Sequence, residues 1–202
     1  MRAHLDERIN ECSDYILKSQ EELYEYINGK NFHIEIGCGK GGFIVETAKQ
    51  NPDICHIAVE HIPNVAILAA EKAKGENLEN LRFVFKNVMD LSEDIKDGTV
   101  KRIYLNFSDP WRKNKQAKRR LTHPGFLKVY KRWLSEDGEI FLKTDNEKLF
   151  EFSLNSFCSE DFHLKNITFD LHNSSFEGNI MTEYEKKFYD EGKNIFRLEA
   201  RK

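Results

Sequence analysis

The chain has 202 residues, of which 40% are hydrophobic and 12% aromatic, so it can bury one core and we expect a single domain over residues 1–202. Its four cysteines form no CxxC pair and have no histidine at metal-ligand spacing, which predicts no disulfide framework, no metal site and a cytoplasmic location. The longest apolar run, residues 65–70, is far shorter than the roughly 20 residues that cross a bilayer, and the charged first ten residues predict no signal peptide.

The distribution of charge is more informative than its sum, which is −3. Acidic residues concentrate at 6–25, 71–79, 93–97 and 183–191, whereas cations crowd one short segment. The members of this basic segment are Arg112, Lys113, Lys115, Lys118, Arg119 and Arg120. Six cations so close together repel one another unless an anion is nearby, so the segment favours contact with nucleic-acid phosphate over a solvated helix face.

The first predicted element is an N-terminal helical extension over residues 1–31. Its apolar residues fall at a loose helical spacing, which ends at the pair Asn28-Gly29. Asparagine followed by glycine is typical of a helix C-cap, because both residues tolerate a left-handed backbone.

Short apolar runs that predict strands follow at residues 32–36, 54–59, 81–85, 103–107 and 140–143. Apolar residues at three- and four-residue intervals predict helices at 43–48, 65–73 and 126–134. This alternation indicates a mostly parallel, doubly wound sheet whose ligands bind beyond the carboxyl ends of the strands. Two later runs, at 162–169 and 195–200, lack a convincing crossover helix and predict a closing antiparallel pair.

A glycine-rich run between the first strand and its helix predicts a cofactor site. Glu35 precedes a GxGxG pattern in which Gly37 and Gly39 allow a tight turn and close approach of a ligand. NAD and flavin sites usually carry GxGxxG, and a carboxylate beside the loop would repel a pyrophosphate. It suits the ammonium and sulfonium of S-adenosylmethionine.

Two residues that follow the second and third strands complete this predicted site. Glu60 lies about 20 residues beyond the loop, where a carboxylate can accept the ribose hydroxyls. Asn87 can hold the adenine edge, although its simpler explanation is a helix cap. Taken as an ordered set, these residues favour S-adenosylmethionine.

The fourth strand runs into Asn-Phe-Ser-Asp-Pro-Trp, which predicts the acceptor site. Pro110 biases Asp109 away from helix, so Asp109 can face the methionine end of the cofactor or a bound guanine. Trp111 can offer a stacking face to a splayed base, or be a buried indole in a tight turn. The basic segment follows immediately, which strengthens the nucleic-acid interpretation.

Two further segments fit a capping box, Thr144 with Glu147 and Thr182 with Glu185. Capping alone explains their residue types. The functional alternative is that Asp145 and residues 182–185 accept hydrogen bonds from N1 and N2 of guanine, which selects guanine over adenine.

At these residues the sequence resembles the bacterial tRNA (guanine-N7)-methyltransferase family, from residue 32 to residue 202. The motifs are SDPW at 108–111, KRRL at 118–121, TDN at 144–146 and TEYE at 182–185. The resemblance implies an α/β, Rossmann-like class I S-adenosylmethionine-dependent methyltransferase, with a seven-stranded mostly parallel sheet and a C-terminal antiparallel hairpin. Two departures are visible, since the family commonly has Pro where Arg112 stands and His where Gln116 stands.

The resemblance also implies the roles of site residues. Cofactor contacts are implied at Glu35, Glu60, Asn87 and Asp109. Contacts with the tRNA partner are implied at Lys113, Asp145, Thr182, Glu183, Tyr184 and Glu185. The implied target is the guanosine at position 46 of the variable loop, and either a monomer or a homodimer fits the sequence.

Guanine N7 has an in-plane lone pair, so its methylation requires no general base, and catalysis should come from alignment of the reacting atoms. Asp109 is the predicted catalytic residue, because a carboxylate stabilises the positive charge that develops on the ring. Three rival functions are a methyltransferase of another acceptor, an RNA-binding protein without catalysis and an NAD oxidoreductase. Trp111 and the basic segment disfavour a methyltransferase of another acceptor. The intact acidic and glycine positions disfavour an RNA-binding protein without catalysis. The pattern of the glycine loop disfavours an NAD oxidoreductase.

Overall fold

The predicted strands pair as one sheet. Seven strands occur in residues 2–202, which are the residues that the computed structural model describes. They are β1 (Phe32–Ile36), β2 (Cys55–Val59), β3 (Leu81–Val84), β4 (Val100–Asn106), β5 (Leu134–Thr144), β6 (His163–Thr168) and β7 (Phe196–Arg201). Their order is β3-β2-β1-β4-β5-β7-β6. Strand β7 is antiparallel to β5 and β6 and the other pairs are parallel, which confirms the predicted sheet.

Helices cover both faces of the sheet. The described residues form α1 (Arg2–Glu11), α2 (Gln20–Ile27), α3 (Gly42–Gln50), α4 (Pro63–Gly75), α5 (Pro124–Trp133), α6 (Glu147–Ser159) and α7 (Glu183–Asp190). Because strand side chains alternate, Ile34 packs with α2, α5 and α6, whereas Ala58 and Phe83 pack with α3 and α4. No helix in the described part of the chain has the length and apolar character needed to cross a membrane.

The N-terminal residues form two helices that pack on opposite faces of the sheet. Helix α2 buries Leu23 in the first core, whereas Ile9 of α1 packs against the second. Between them Ile16 bridges Phe83 at the outer edge of β3, so this segment covers an otherwise open strand edge. Helix α2 ends at Asn28 in a left-handed conformation, as predicted.

Two parts of the prediction were wrong. Leu134 begins β5 directly after α5 and is not the last helical residue, since it pairs with Val100 of β4. Helix α6 had no predicted counterpart, because its buried face includes serines as well as apolar residues. Ser153 satisfies its hydroxyl with the Leu149 carbonyl and the Thr122 hydroxyl, so burying it there leaves no unpaired group.

Candidate active site

A glycine-rich loop joins β1 to α3 at the carboxyl edge of the sheet. Gly37, Gly39 and Gly41 have φ angles of +77°, +55° and +76°, a left-handed backbone that favours glycine. A Cβ atom on Gly41 would lie 2.5 Å from the Cβ of Ala69 on α4. The loop therefore packs tightly on α4 and leaves its other side open to a ligand.

Glu35 presents a carboxylate that is incompletely satisfied. Its side chain is buried, with 2% of the residue exposed, and Oε1 accepts a 2.8 Å hydrogen bond from Asn106 Nδ2. The other oxygen, Oε2, accepts no hydrogen bond from any residue that the structure describes. Burial raises the pKa of Glu35 to about 7, and the Asn106 hydrogen bond and the charge of Lys143 oppose that rise. A buried carboxylate with one free oxygen is suited to bind a cation.

Glu60 and Asn87 both hold local backbone. Glu60 Oε2 accepts from Gly39 N at 3.2 Å and Oε1 accepts from Ile62 N at 3.0 Å, so this carboxylate braces the glycine loop. Asn87 Oδ1 accepts from Met89 N at 3.0 Å and caps a short 3₁₀ turn, as its simpler explanation predicted. Capping leaves the Nδ2 donor of this exposed side chain available to a ligand.

A cleft combines three distant parts of the chain. Glu35, Gly37 and Gly39 line it from the glycine loop, and Thr182, Glu183 and Tyr184 line it from the start of α7. Its remaining lining residues are Cys38, Lys40, Gly42, Phe43, Asn106 and Phe107. Of the predicted site residues, Glu60, Asn87, Asp109, Lys113, Asp145 and Glu185 lie outside this lining. Sequence reasoning missed Asn106, although its place at the end of a strand was a usable signal.

The turn after β4 has an unusual backbone that neighbouring residues hold in place. Phe107 and Trp111 have φ angles of +50° and +40°, which non-glycine residues rarely adopt. The guanidinium of Arg120 donates to Pro110 O at 3.0 Å and to Trp111 O at 3.1 Å. Asp109 directly precedes these two held residues and is exposed to solvent at the surface of the turn.

The basic segment continues from this turn as a 3₁₀ helix, Asn114–Arg119. Within residues 2–202, none of its six cations has a carboxylate at ion-pair distance. Arg119 lies over the half-buried Trp111 ring, 4.8 Å from its centroid, so one face of the indole is already covered. The segment thus presents uncompensated positive charge beside Asp109.

The two predicted capping boxes differ. Thr182 and Glu185 form one, with Glu185 N donating to Thr182 Oγ1 at 2.8 Å and the Glu185 carboxylate accepting from Thr182 N. The box at Thr144 does not form, because α6 begins later and Asn146 caps it through Leu149 N. Thr144 Oγ1 instead accepts from Asn146 N, and Asp145 is half-buried in that turn.

Residues 182–185 do not all face a ligand. Tyr184 is 57% exposed, and Glu183 forms a 2.6 Å ion pair with Lys72 of α4. Glu185 is fully buried and accepts hydrogen bonds from Lys143 and Asn179. Both of its oxygens are occupied in the interior of this structure, and the contact of Glu185 with substrate stays a prediction.

Comparison with known proteins gives a consistent result. A family model described as "Putative methyltransferase" matches residues 29–198. A tRNA (guanine-N(7)-)-methyltransferase of Clostridioides difficile (strain 630) is 47% identical over 98% of this chain and 95% of its own. The enzyme with that name from Brevibacillus brevis is 50% identical over 86% of this chain and 81% of its own.

Solved structures share the fold at low sequence identity. An antibiotic-related methyltransferase superposes with a TM-score of 0.71 at 16% identity, covering 92% of this chain and 96% of its own. The 16S rRNA methyltransferase KamB superposes with a TM-score of 0.68 at 11% identity, covering 91% of this chain and 94% of its own. From the extent and identity of its curated relatives, the chain belongs to the tRNA (guanine-N7)-methyltransferase family.

Proposed function

We propose that this protein transfers a methyl group from S-adenosylmethionine to N7 of the guanine at position 46 in the variable loop of tRNA, forming 7-methylguanosine. The observation that carries the proposal is the buried, half-satisfied carboxylate of Glu35 on the wall of a cleft that residues 182–184 also line. The relatives' names supply the tRNA and the N7 atom. Because tRNA is the substrate, we place the reaction in the cytoplasm.

The cofactor fits the residues around the glycine loop. When bound, S-adenosylmethionine supplies a methyl group that is activated by its positive sulfonium. Glu35 Oε2 is the acceptor for its ammonium, and the glycines let the backbone approach without a Cβ collision. Glu60 accepts the ribose hydroxyls with its remaining lone pairs, and Asn87 offers Nδ2 to the adenine edge.

The acceptor guanine lies, in this proposal, between the turn after β4 and the start of α7. Tyr184 offers an exposed ring for stacking, and Phe107 lines the same cleft. Asp145, Thr182 and Glu183 are the candidate acceptors for the N1 and N2 donors of guanine. Glu185 lies buried beneath Thr182 and Tyr184 and, in this proposal, makes no contact with the base.

Asp109 is the proposed catalytic residue. Its carboxylate stabilises the positive charge that the guanine ring gains, and it removes no proton because N7 carries none. The neighbouring cations bind RNA phosphates and hold the nucleoside in line with the transferred methyl group. Among these cations, Lys113 is the one that the family resemblance implies. In this proposal carboxylates act on the cofactor and on the guanine ring, cations act on the RNA phosphates, and both groups lie at the carboxyl edge of the sheet.

The test is to incubate the protein with S-adenosylmethionine and unmodified tRNA, digest the RNA and detect 7-methylguanosine by mass spectrometry. A tRNA with adenine at position 46 is the substrate control. Asp109→Asn should lower the rate about 100-fold, whereas Asp53→Asn, an exposed aspartate in the loop before β2, should not. Cofactor binding without any methylated nucleoside would refute the proposed reaction.

A further inference from the structure

Lys143 is a buried cation next to the cleft. It lies near the end of β5, and only 6% of its side chain is exposed. Its ammonium has three N–H donors and meets three acceptors: Asn179 Oδ1 at 3.1 Å, Ile180 O at 2.8 Å and Glu185 Oε2 at 2.6 Å. All three belong to residues 179–185, so one side chain fixes this segment to the sheet.

The partner carboxylate is equally enclosed. Glu185 Oε1 accepts from Asn179 Nδ2 at 2.6 Å, while Oε2 also accepts from Thr182 N. Burying two opposite charges together is costly unless their remaining donors and acceptors are satisfied. Here they are satisfied within residues 179–185 and by Lys143, so the segment has a defined position on β5.

Lys143 also contacts the two other parts of the cleft. Its backbone oxygen accepts a 2.9 Å hydrogen bond from Phe107 N, at the start of the turn that carries Asp109. Its ammonium lies 5.2 Å from the centre of the Phe43 ring on α3. One residue therefore connects the glycine-loop helix, the turn after β4 and the start of α7.

We propose that Lys143 is a positioning residue for methyl transfer, which fixes residues 179–185 so that Thr182, Glu183 and Tyr184 face the cleft. The proposal rests on the proposed function of that cleft. Methionine at position 143 has similar length but no donor, so the three acceptors lose their partner and the buried Glu185 carboxylate keeps only His172, whose Nε2 lies 3.4 Å from Oε1, as a nearby basic group. The sheet itself keeps its backbone pairing.

The first measurement uses the full-length protein and is independent of activity. Lys143→Met should raise amide hydrogen exchange at residues 179–185 by about tenfold or more, while β1 and β4 keep their protection. It should also raise the KM for tRNA about tenfold. Lys165→Met is the matched control, because Lys165 on β6 also pairs with two glutamates, Glu139 and Glu199, elsewhere on the sheet.

A double variant separates positioning from simple neutralisation of Glu185. Lys143→Met should lower the melting temperature, because the buried Glu185 carboxylate loses its lysine. Adding Glu185→Gln removes that buried charge, so the melting temperature should rise again. The fast exchange at 179–185 and the high KM should remain, since Ile180 O and Asn179 still lack the ammonium. The inference is overturned if the single variant behaves as the wild type, or if the double variant regains the wild-type KM. Failure of the proposed function would differ, because then the wild type itself would make no 7-methylguanosine.

Discussion

Glu35→Gln should make the protein more stable and worse at binding its cofactor. Burial raises the pKa of this carboxyl from 4.5 to about 7. At a pH above both values this difference corresponds to about 3 kcal/mol of destabilisation, because one pKa unit is worth about 1.4 kcal/mol. Glutamine can still accept the hydrogen bond from Asn106, but its amide donor is left unpaired, at a cost of about 1 kcal/mol. The net expected gain at pH 8 is about 2 kcal/mol.

The sign of the pH dependence follows from the direction of the pKa change. The folded protein binds the Glu35 proton more tightly than the unfolded chain, so this group favours folding below pH 4.5. That contribution is lost as the pH rises from 4.5 to about 7. The stability advantage of Glu35→Gln should therefore be largest above pH 7 and smallest near pH 4, as measured by urea unfolding at a series of pH values.

The same substitution removes the proposed acceptor for the cofactor's ammonium. A charge-assisted hydrogen bond contributes about 1.5–3 kcal/mol, so the affinity for S-adenosylhomocysteine should fall about 10- to 100-fold in calorimetric titration. Glu25→Gln, on the exposed face of α2, is the control and should change neither quantity. Unchanged binding by Glu35→Gln would refute the ammonium assignment, and unchanged stability at pH 8 would refute the account of its burial.

Three other predictions concern the same edge of the sheet. Wild-type affinity for S-adenosylhomocysteine should rise with pH and level off above about 7, where Glu35 is ionised, and calorimetry with Glu35→Gln should show no such rise. Lys113→Ala should reduce the slope of log tRNA affinity against log salt by about one in fluorescence anisotropy, and an unchanged slope would remove Lys113 from the phosphate contacts. Arg120→Lys keeps the charge and should leave that slope unchanged. It cannot hold Pro110 O and Trp111 O together, so the single-turnover methylation rate should fall about tenfold, and an unaltered rate would show that the turn needs no such support.

The sheet was predictable because β1 to β4 and the second half of β5 contain short apolar runs, most of them separated by turns or helices. The serine-containing buried face of α6 concealed that helix, since hydroxyl groups satisfied by neighbours are invisible to an apolar pattern. Leu134 was misplaced because α5 passes into β5 without a loop, so no turn residue marks the boundary. In both cases the missing information was tertiary.

The candidate site was predictable as far as residue type and order in the chain reveal chemistry. The acid before the glycine loop and the basic segment carry their charges in the sequence. Lys143 was not predictable, because a lysine in a strand is normally solvated and its partner Glu185 lies far along the chain. For the same reason Glu185 resembled a ligand contact, although its capping box and its ion pair use Oε2 and Asn179 uses Oε1.

The distribution of charge at this edge follows from the reaction. Methyl transfer moves one positive charge from the cofactor's sulfur to the guanine ring, so an anionic environment remains useful throughout. Glu35 and Glu60 are buried, and in the proposed function they act on the cofactor. Asp109 is exposed, and solvent screens its effect in the free protein. In the proposed function, RNA held by the adjacent cations covers the turn and excludes water, so the same carboxylate acts on the guanine ring much more strongly. On this proposal the basic segment contributes to catalysis as well as to affinity, because it holds the RNA that shields Asp109 from solvent.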